Sequence, residues 1–127
     1  MPTDTIYKKL ILENFKKPRN VGQIPNPDAL SKKVNLSCGD RIEVFLKINN
    51  GVISDLKYRI DGCAISVASI SILSDQIIGK KIEEVLKISK EGVMKNIGLE
   101  DGSGREKCAT IGFEALIEAL NDYIQDH

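Results

Sequence analysis

Two hydrophobic rhythms alternate along the chain. In the middle, Ile42, Val44, Leu46 and Ile48 are apolar at every second position, the mark of a strand with one buried face. Leu56, Tyr58 and Ile60 repeat that pattern after Asn49-Asn50-Gly51, a tight-turn signal, so these two strands are expected to pair antiparallel. Val34 and Leu36 alternate before them and predict a first strand. Elsewhere the period is helical. Asp4 can cap a helix running to about Phe15, with Ile6, Leu10 and Phe15 near one face, and Pro18 ends it. Pro18 to Pro27 reads as an extended, turn-rich connection. Ala64 to Ile78, with Ile70, Leu73 and Ile77 in a stripe, predicts a helix apolar on several faces and well buried. Ile82, Val85 and Leu86 predict a short helix ending near Ser89, and Val93, Met94 and Ile97 another stopped at Gly98. Gly98 to Gly104 is a loop. A last helix from about Glu106 carries Ala109, Phe113, Leu116, Leu120 and Tyr123 at amphipathic spacing. The expected fold is α+β, a three-stranded antiparallel sheet covered by helices, in a single domain spanning 1–127.

Composition narrows the function classes. The 127 residues carry a formal net charge of zero, with 42% hydrophobic and 28% charged positions. Nothing in that balance argues for general attraction to nucleic acid or to a membrane surface. No apolar run approaches the roughly 18 residues of a membrane span, and no signal-peptide pattern opens the chain. An odd number of cysteines, three, argues against a disulfide framework and for a reducing compartment, with the cytoplasm as the expected location.

Those three cysteines and one aspartate carry the chemistry. Cys38-Gly39-Asp40 falls in the turn between the first two strands, where Gly39 lets the backbone bend so that both ligands can aim at one point. Cys63 opens the long helix, and Cys108 falls in the first turn of the last one, positions where unpaired N–H groups favour a thiolate. Arg105 and Lys107 push the Cys108 thiol the same way. Together Cys38, Asp40, Cys63 and Cys108 form an S₃O set suited to a soft or borderline metal. Its carboxylate is the ligand most easily surrendered, which suggests a site built to open. Each residue also has a plainer reading. A single buried cysteine is often an inert small hydrophobe, Asp40 alone could be a turn residue, and Arg105 a solvated loop residue. Lys16, Lys17 and Arg19 could be a docking patch or could simply answer the helix dipole. Ser66, Ala68 and Ser69 read as close helix packing, and His127, at the terminus, is a poor ligand.

Four segments in order then resemble the U-type iron–sulfur cluster assembly family (IscU, SufU and the N-terminal domain of NifU). They are Tyr7-Lys8-Lys9-Leu10 leading to Phe15-Lys16-Lys17-Pro18-Arg19-Asn20-Val21-Gly22, Cys38-Gly39-Asp40-Arg41-Ile42, Asp61-Gly62-Cys63-Ala64-Ile65-Ser66 with Ala68-Ser69, and Arg105-Glu106-Lys107-Cys108-Ala109-Thr110. The third-cysteine motif looks closer to the SufU branch. Lys107 stands where IscU-type members place His, and Asp101-Gly102-Ser103-Gly104 stands where they carry a Leu-Pro-Pro-Val-Lys chaperone signal, so no Hsp70 docking motif is recognisable. The insertion usual in SufU proteins between the second and third cysteines is mostly absent.

The resemblance implies a sulfur carrier that depends on a cysteine desulfurase. In that scheme Zn²⁺ rests on Cys38, Asp40, Cys63 and Cys108, and a desulfurase ligand takes over one place on it. The freed Cys38 then accepts persulfide sulfur, with Arg105 and Lys107 in support. The alternative it implies is a scaffold on which Fe²⁺ and sulfide become a [2Fe–2S] cluster for apo-protein acceptors. Downstream partners would be further assembly proteins or those acceptors, with no role for nucleic acid or membrane.

Overall fold

The structure, a computed structural model, describes residues 2–37, 39–99, 102 and 104–126, residues 2–4 by their backbone. Its elements run α1 (Pro2–Lys16), β1 (Ala29–Asn35), β2 (Asp40–Asn49), β3 (Val52–Asp61), α2 (Ala64–Ile77), α3 (Ile82–Val85), α4 (Lys90–Lys95) and α5 (Glu106–Asp126). The sheet order is β1-β2-β3, antiparallel throughout, as the alternation predicts. The β2–β3 turn closes on Asn50 (φ 53°) and Gly51 (φ 75°), both in the left-handed region that an Asn-Gly hairpin turn requires. Ile42, Val44, Leu46, Leu56 and Tyr58 are buried on one face of this sheet. Against that face lie α2 and α5, the latter contributing Leu116, Ala119 and Leu120.

Two elements differ from expectation. The alternation of Val34 and Leu36 points away from the helices: Val34 is 54% and Leu36 91% exposed. Pairing of Val34 with Arg41, and of Ser31 with Val44, fixes the register, so β1's inward positions are Ala29, Ser31, Lys33 and Asn35. Buried Ser31 is tolerated because its hydroxyl donates to the Ala115 carbonyl at 2.6 Å. In α1, Ile6 and Phe15 face solvent, and the helix instead turns Tyr7, Leu10, Ile11 and Asn14 inward. Tyr7 lies against the backbone of Gly98, where a β-carbon would collide with its ring. Asn14 accepts a hydrogen bond from the Ser71 hydroxyl of α2 at 2.7 Å, and Ser71 in turn accepts from the Arg19 N–H at 2.9 Å.

The connection after α1 crosses the outer sheet face. The Gly22 N–H donates to the Tyr58 carbonyl on the free edge of β3, whereas the Asp28 N–H donates to the Leu46 carbonyl of the central strand β2, where β1 begins. Between them Lys47 reaches the Asn26 carbonyl at 2.8 Å, and Phe45, on this outer face, is 8% exposed. The helical layer closes by small residues. Gly112 of α5 sits where a β-carbon would lie 2.7 Å from Ile70 Cδ1, and the Ser69 hydroxyl donates to the Ala109 carbonyl at 2.6 Å. Ser69, and the fully buried Ala68, are thus packing residues, as expected. Among the described residues no helix is long and apolar enough to cross a membrane.

Candidate metal centre

Three elements deliver one chemical group each to the same point. Asp40 is the first residue of β2 and lies on its inward face, 1% exposed. Cys63 follows the end of β3 and caps α2 with extended dihedrals (φ −76°, ψ 171°). Cys108 sits in the first turn of α5 and is 3% exposed. One ligand atom from each of Asp40, Cys63 and Cys108 lies within 4.8 Å of the others. Neither cysteine is in a disulfide. Cys38 lies outside the described residues, in the loop bounded by Ser37 and Gly39, and Gly39 adopts φ 74°, a left-handed backbone that suits its lack of a side chain.

Hydrogen bonding around Asp40 is lopsided. Its Oδ1 accepts from the Cys63 N–H at 3.2 Å, which ties the β2 carboxylate to the start of α2. Its Oδ2 is buried without a hydrogen-bond partner. A buried carboxylate oxygen left bare costs free energy, and a cation shared with two thiolates would satisfy it. The donors are one hard oxygen and two soft sulfurs, a mixture that zinc and ferrous iron both accept. Gly62 makes room for the arrangement. A β-carbon there would stand 2.7 Å from Asp40 Oδ1 and would also collide with the Ser66 hydroxyl.

Electrostatics at Cys63 favour the thiolate. Burial, the largest single influence, pushes its pKa up, yet the donors around the sulfur outweigh it and the net shift is downward. Those donors are the Ser66 N–H and hydroxyl, the Cys108 thiol and the Ile65 N–H. The Ser66 hydroxyl has one proton for two takers, since it also reaches the Cys63 carbonyl at 2.9 Å.

Arg105 and Lys107 are exposed at the start of α5. Lys107 borders a cavity of about 350 Å³ between the β1–β2 hairpin tip and α5, with Asn35, Leu36, Ser37 and Ile111. Arg19 is committed elsewhere: its guanidinium pairs with Asp75 at 2.7 Å, which makes it a tether between the connection and α2. Lys16 and Lys17 are exposed, and His127 lies outside the described residues. Sequence reasoning did not single out Gly62 as a steric requirement or Asn35 as a neighbour of the site. Gly62 stood in a motif without a stated reason, and an asparagine near a turn carries no distinctive signal.

Comparison with known proteins bears on family and fold. Residues 6–127 match the NifU-like N-terminal domain. The chain is 33% identical to the zinc-dependent sulfurtransferase SufU of Bacillus subtilis, over 89% of this chain and 88% of that one. It is also 33% identical to an iron–sulfur cluster assembly scaffold protein IscU of Archaeoglobus fulgidus, over 94% and 78% respectively. Among solved structures, a NifU-like N-terminal protein of Brucella abortus superposes with a TM-score of 0.84 over 98% of both chains, at 24% identity, a likeness of fold. FiSufU of Fervidobacterium islandicum superposes at 0.77 with 27% identity, covering 91% of this chain and 97% of that one. The chain belongs to the NifU-like N-terminal domain family, alongside the IscU and SufU proteins of iron–sulfur cluster assembly.

Proposed function

We propose that this protein is a zinc-binding sulfur acceptor in iron–sulfur cluster biogenesis, working as one domain with a cysteine desulfurase in a reducing compartment such as the cytoplasm. The observation that carries the reading is the convergence of Asp40, Cys63 and Cys108 around a carboxylate oxygen that lacks a partner. Cys38, two positions before Asp40 in the sequence, would complete the donor set. The kinship with a relative named as a zinc-dependent sulfurtransferase favours zinc. Zinc, when bound, would keep the thiolates ordered and shielded from oxidation.

Sulfur transfer itself belongs to Cys38. Cys63 and Cys108 are anchored on two helices that pack together, whereas Cys38 follows in sequence on Leu36 and Ser37, both exposed between β1 and β2. The Cys38 thiolate attacks the outer sulfur of the desulfurase persulfide. A new S–S bond forms as the old one breaks, and the desulfurase cysteine leaves as a thiolate with the bonding pair. No oxidant or reductant is consumed. Arg105 and Lys107, exposed beside the centre, offer positive charge to the approaching anionic persulfide.

The test mixes the protein with a SUF-type desulfurase, cysteine and zinc, and follows alanine release for zinc-loaded, metal-free and Cys38→Ser protein. Zinc-dependent stimulation that the substitution abolishes is expected. Equal stimulation by Cys38→Ser would remove Cys38 from the acceptor role. A second reading, a scaffold that assembles and donates a [2Fe–2S] cluster as cargo, is favoured by the relatives named as scaffold proteins. It predicts an iron-dependent visible chromophore that passes to an apo-ferredoxin.

A further inference from the structure

Asn35 and Asp40 stand directly opposite each other at the mouth of the β1–β2 hairpin, in the last register pair before the Cys38 loop. Both belong to the inward face of the sheet, so their side chains are neighbours on one side. The Asn35 Oδ1 accepts from the Ser37 N–H at 3.2 Å, a local turn bond that can only be made by the oxygen end of the amide. The amide orientation is thereby fixed, and the Nδ2 end must point the other way. It is buried and has no acceptor. Asp40 Oδ2, across the hairpin, is buried and has no donor. Among the described residues only three buried side-chain polar atoms lack a partner, and two of them are this donor and this acceptor. Their placement on opposed residues pairs a deficit with a deficit.

We propose that Asn35 is a positioning residue of the metal centre, its Nδ2–H donating to Asp40 Oδ2 when the ligand set closes on a metal. This inference rests on the metal-binding part of the reading above. The Asp40 carboxylate would then be held from two sides, by the Cys63 N–H on Oδ1 and by Asn35 on Oδ2, with lone pairs left over on both oxygens for the cation. Asn35 would also couple the Cys38 loop to the carboxylate, because the same side chain caps Ser37 with its oxygen and steadies Asp40 with its nitrogen. A partner that pulls on the hairpin tip would loosen the one non-sulfur ligand. That gives the surrender of Asp40 a physical trigger outside the centre.

The two ends of the amide can be separated by substitution. Asn35→Ser keeps a side-chain oxygen able to accept from the Ser37 N–H, but lacks the far donor, whereas Asn35→Ala lacks both. Zinc affinity would be measured by competition with a chromophoric chelator, beside wild type and Asp40→Ala. Both Asn35 substitutions are expected to weaken zinc binding about 10- to 100-fold, the usual effect of losing an outer-shell partner. Wild-type protein gives an independent readout. The Asn35 side-chain amide, assigned by its disappearance in Asn35→Ser, should shift downfield in the ¹H–¹⁵N spectrum on zinc addition, and Asp40→Ala should abolish that shift. Unchanged affinity in Asn35→Ser together with an unmoved amide resonance would overturn the inference while leaving the metal centre intact. Unchanged affinity in Asp40→Ala as well would remove Asp40 from the ligand set, and that part of the proposed function with it.

Discussion

Gly62→Ala is the sharpest probe of how the centre is built. A methyl group at position 62 would place carbon 2.7 Å from Asp40 Oδ1, against a comfortable separation of about 3.5 Å for non-bonded heavy atoms. The Ser66 hydroxyl, the other obstacle, sits at the end of a short rotor and can swing aside. Asp40 has no such freedom, being 1% exposed and tied to the Cys63 N–H. Relief of roughly 0.5 Å or more of overlap therefore breaks that bond. A hydrogen bond to a charged group contributes about 1.5–3 kcal/mol. Metal-free Gly62→Ala should accordingly lose about 2 kcal/mol, or about 6–10 °C in Tm for a domain of this size. Displacing a ligand from its place should also lower zinc affinity at least about tenfold. Guanidinium unfolding of metal-free protein reads the first quantity and chelator competition the second. Leu116→Ala is the control, a fully buried α5 residue whose truncation costs about 2–5 kcal/mol while the folded fraction keeps wild-type zinc affinity. Gly62→Ala protein that lost stability but bound zinc as tightly as wild type would show that the Asp40 carboxylate is not part of the centre.

Two further tests address the scaffold around it. Burial pushes the Tyr58 phenol up to about 12, against a smaller downward pull from the neighbouring Ser71, and the buried hydroxyl makes no hydrogen bond of good geometry. Its folded pKa lies above the unfolded value of about 10, so the unfolded chain ionises first. Stability is full below pH ~10 and falls as pH climbs from ~10 to ~12; Tyr58→Phe should flatten that alkaline decline in denaturant titrations and leave neutral-pH stability equal or slightly higher. Identical alkaline curves would contradict the assignment. Gly112→Ala should destabilise by about 1–3 kcal/mol through overpacking against Ile70, where a β-carbon would stand 2.7–3.0 Å from three side-chain atoms. A neutral outcome in thermal melts would mean that α2 and α5 are less tightly apposed than described.

How far the sequence could be read depended on where apolar residues did the work. β2 and β3 were legible because their inward positions are Ile, Val, Leu and Tyr, and the long α5 because its apolar stripe is continuous. β1 was misplaced because its inward face carries Ala29, Ser31, Lys33 and Asn35, and a serine satisfied by a helix carbonyl leaves no hydrophobic trace. α1 misled in the same way, since part of its anchoring is polar, through Asn14 and Ser71. The centre was legible in its donors and illegible in its supports. Cys63, Cys108 and Asp40 announce themselves by chemistry, but nothing about those residues alone brings helix starts from different parts of the chain within 4.8 Å of one another. The small residues do that. Gly112 lets Ile70 lie against the α5 backbone, Ser69 fastens α2 to the carbonyl of Ala109, next to Cys108, and Gly62 admits the Asp40 carboxylate beside the start of α2. Small residues, only some of which the sequence marked as packing positions, therefore hold these helix starts and the carboxylate together. Enlarging any of them should register at the metal as well as in the fold.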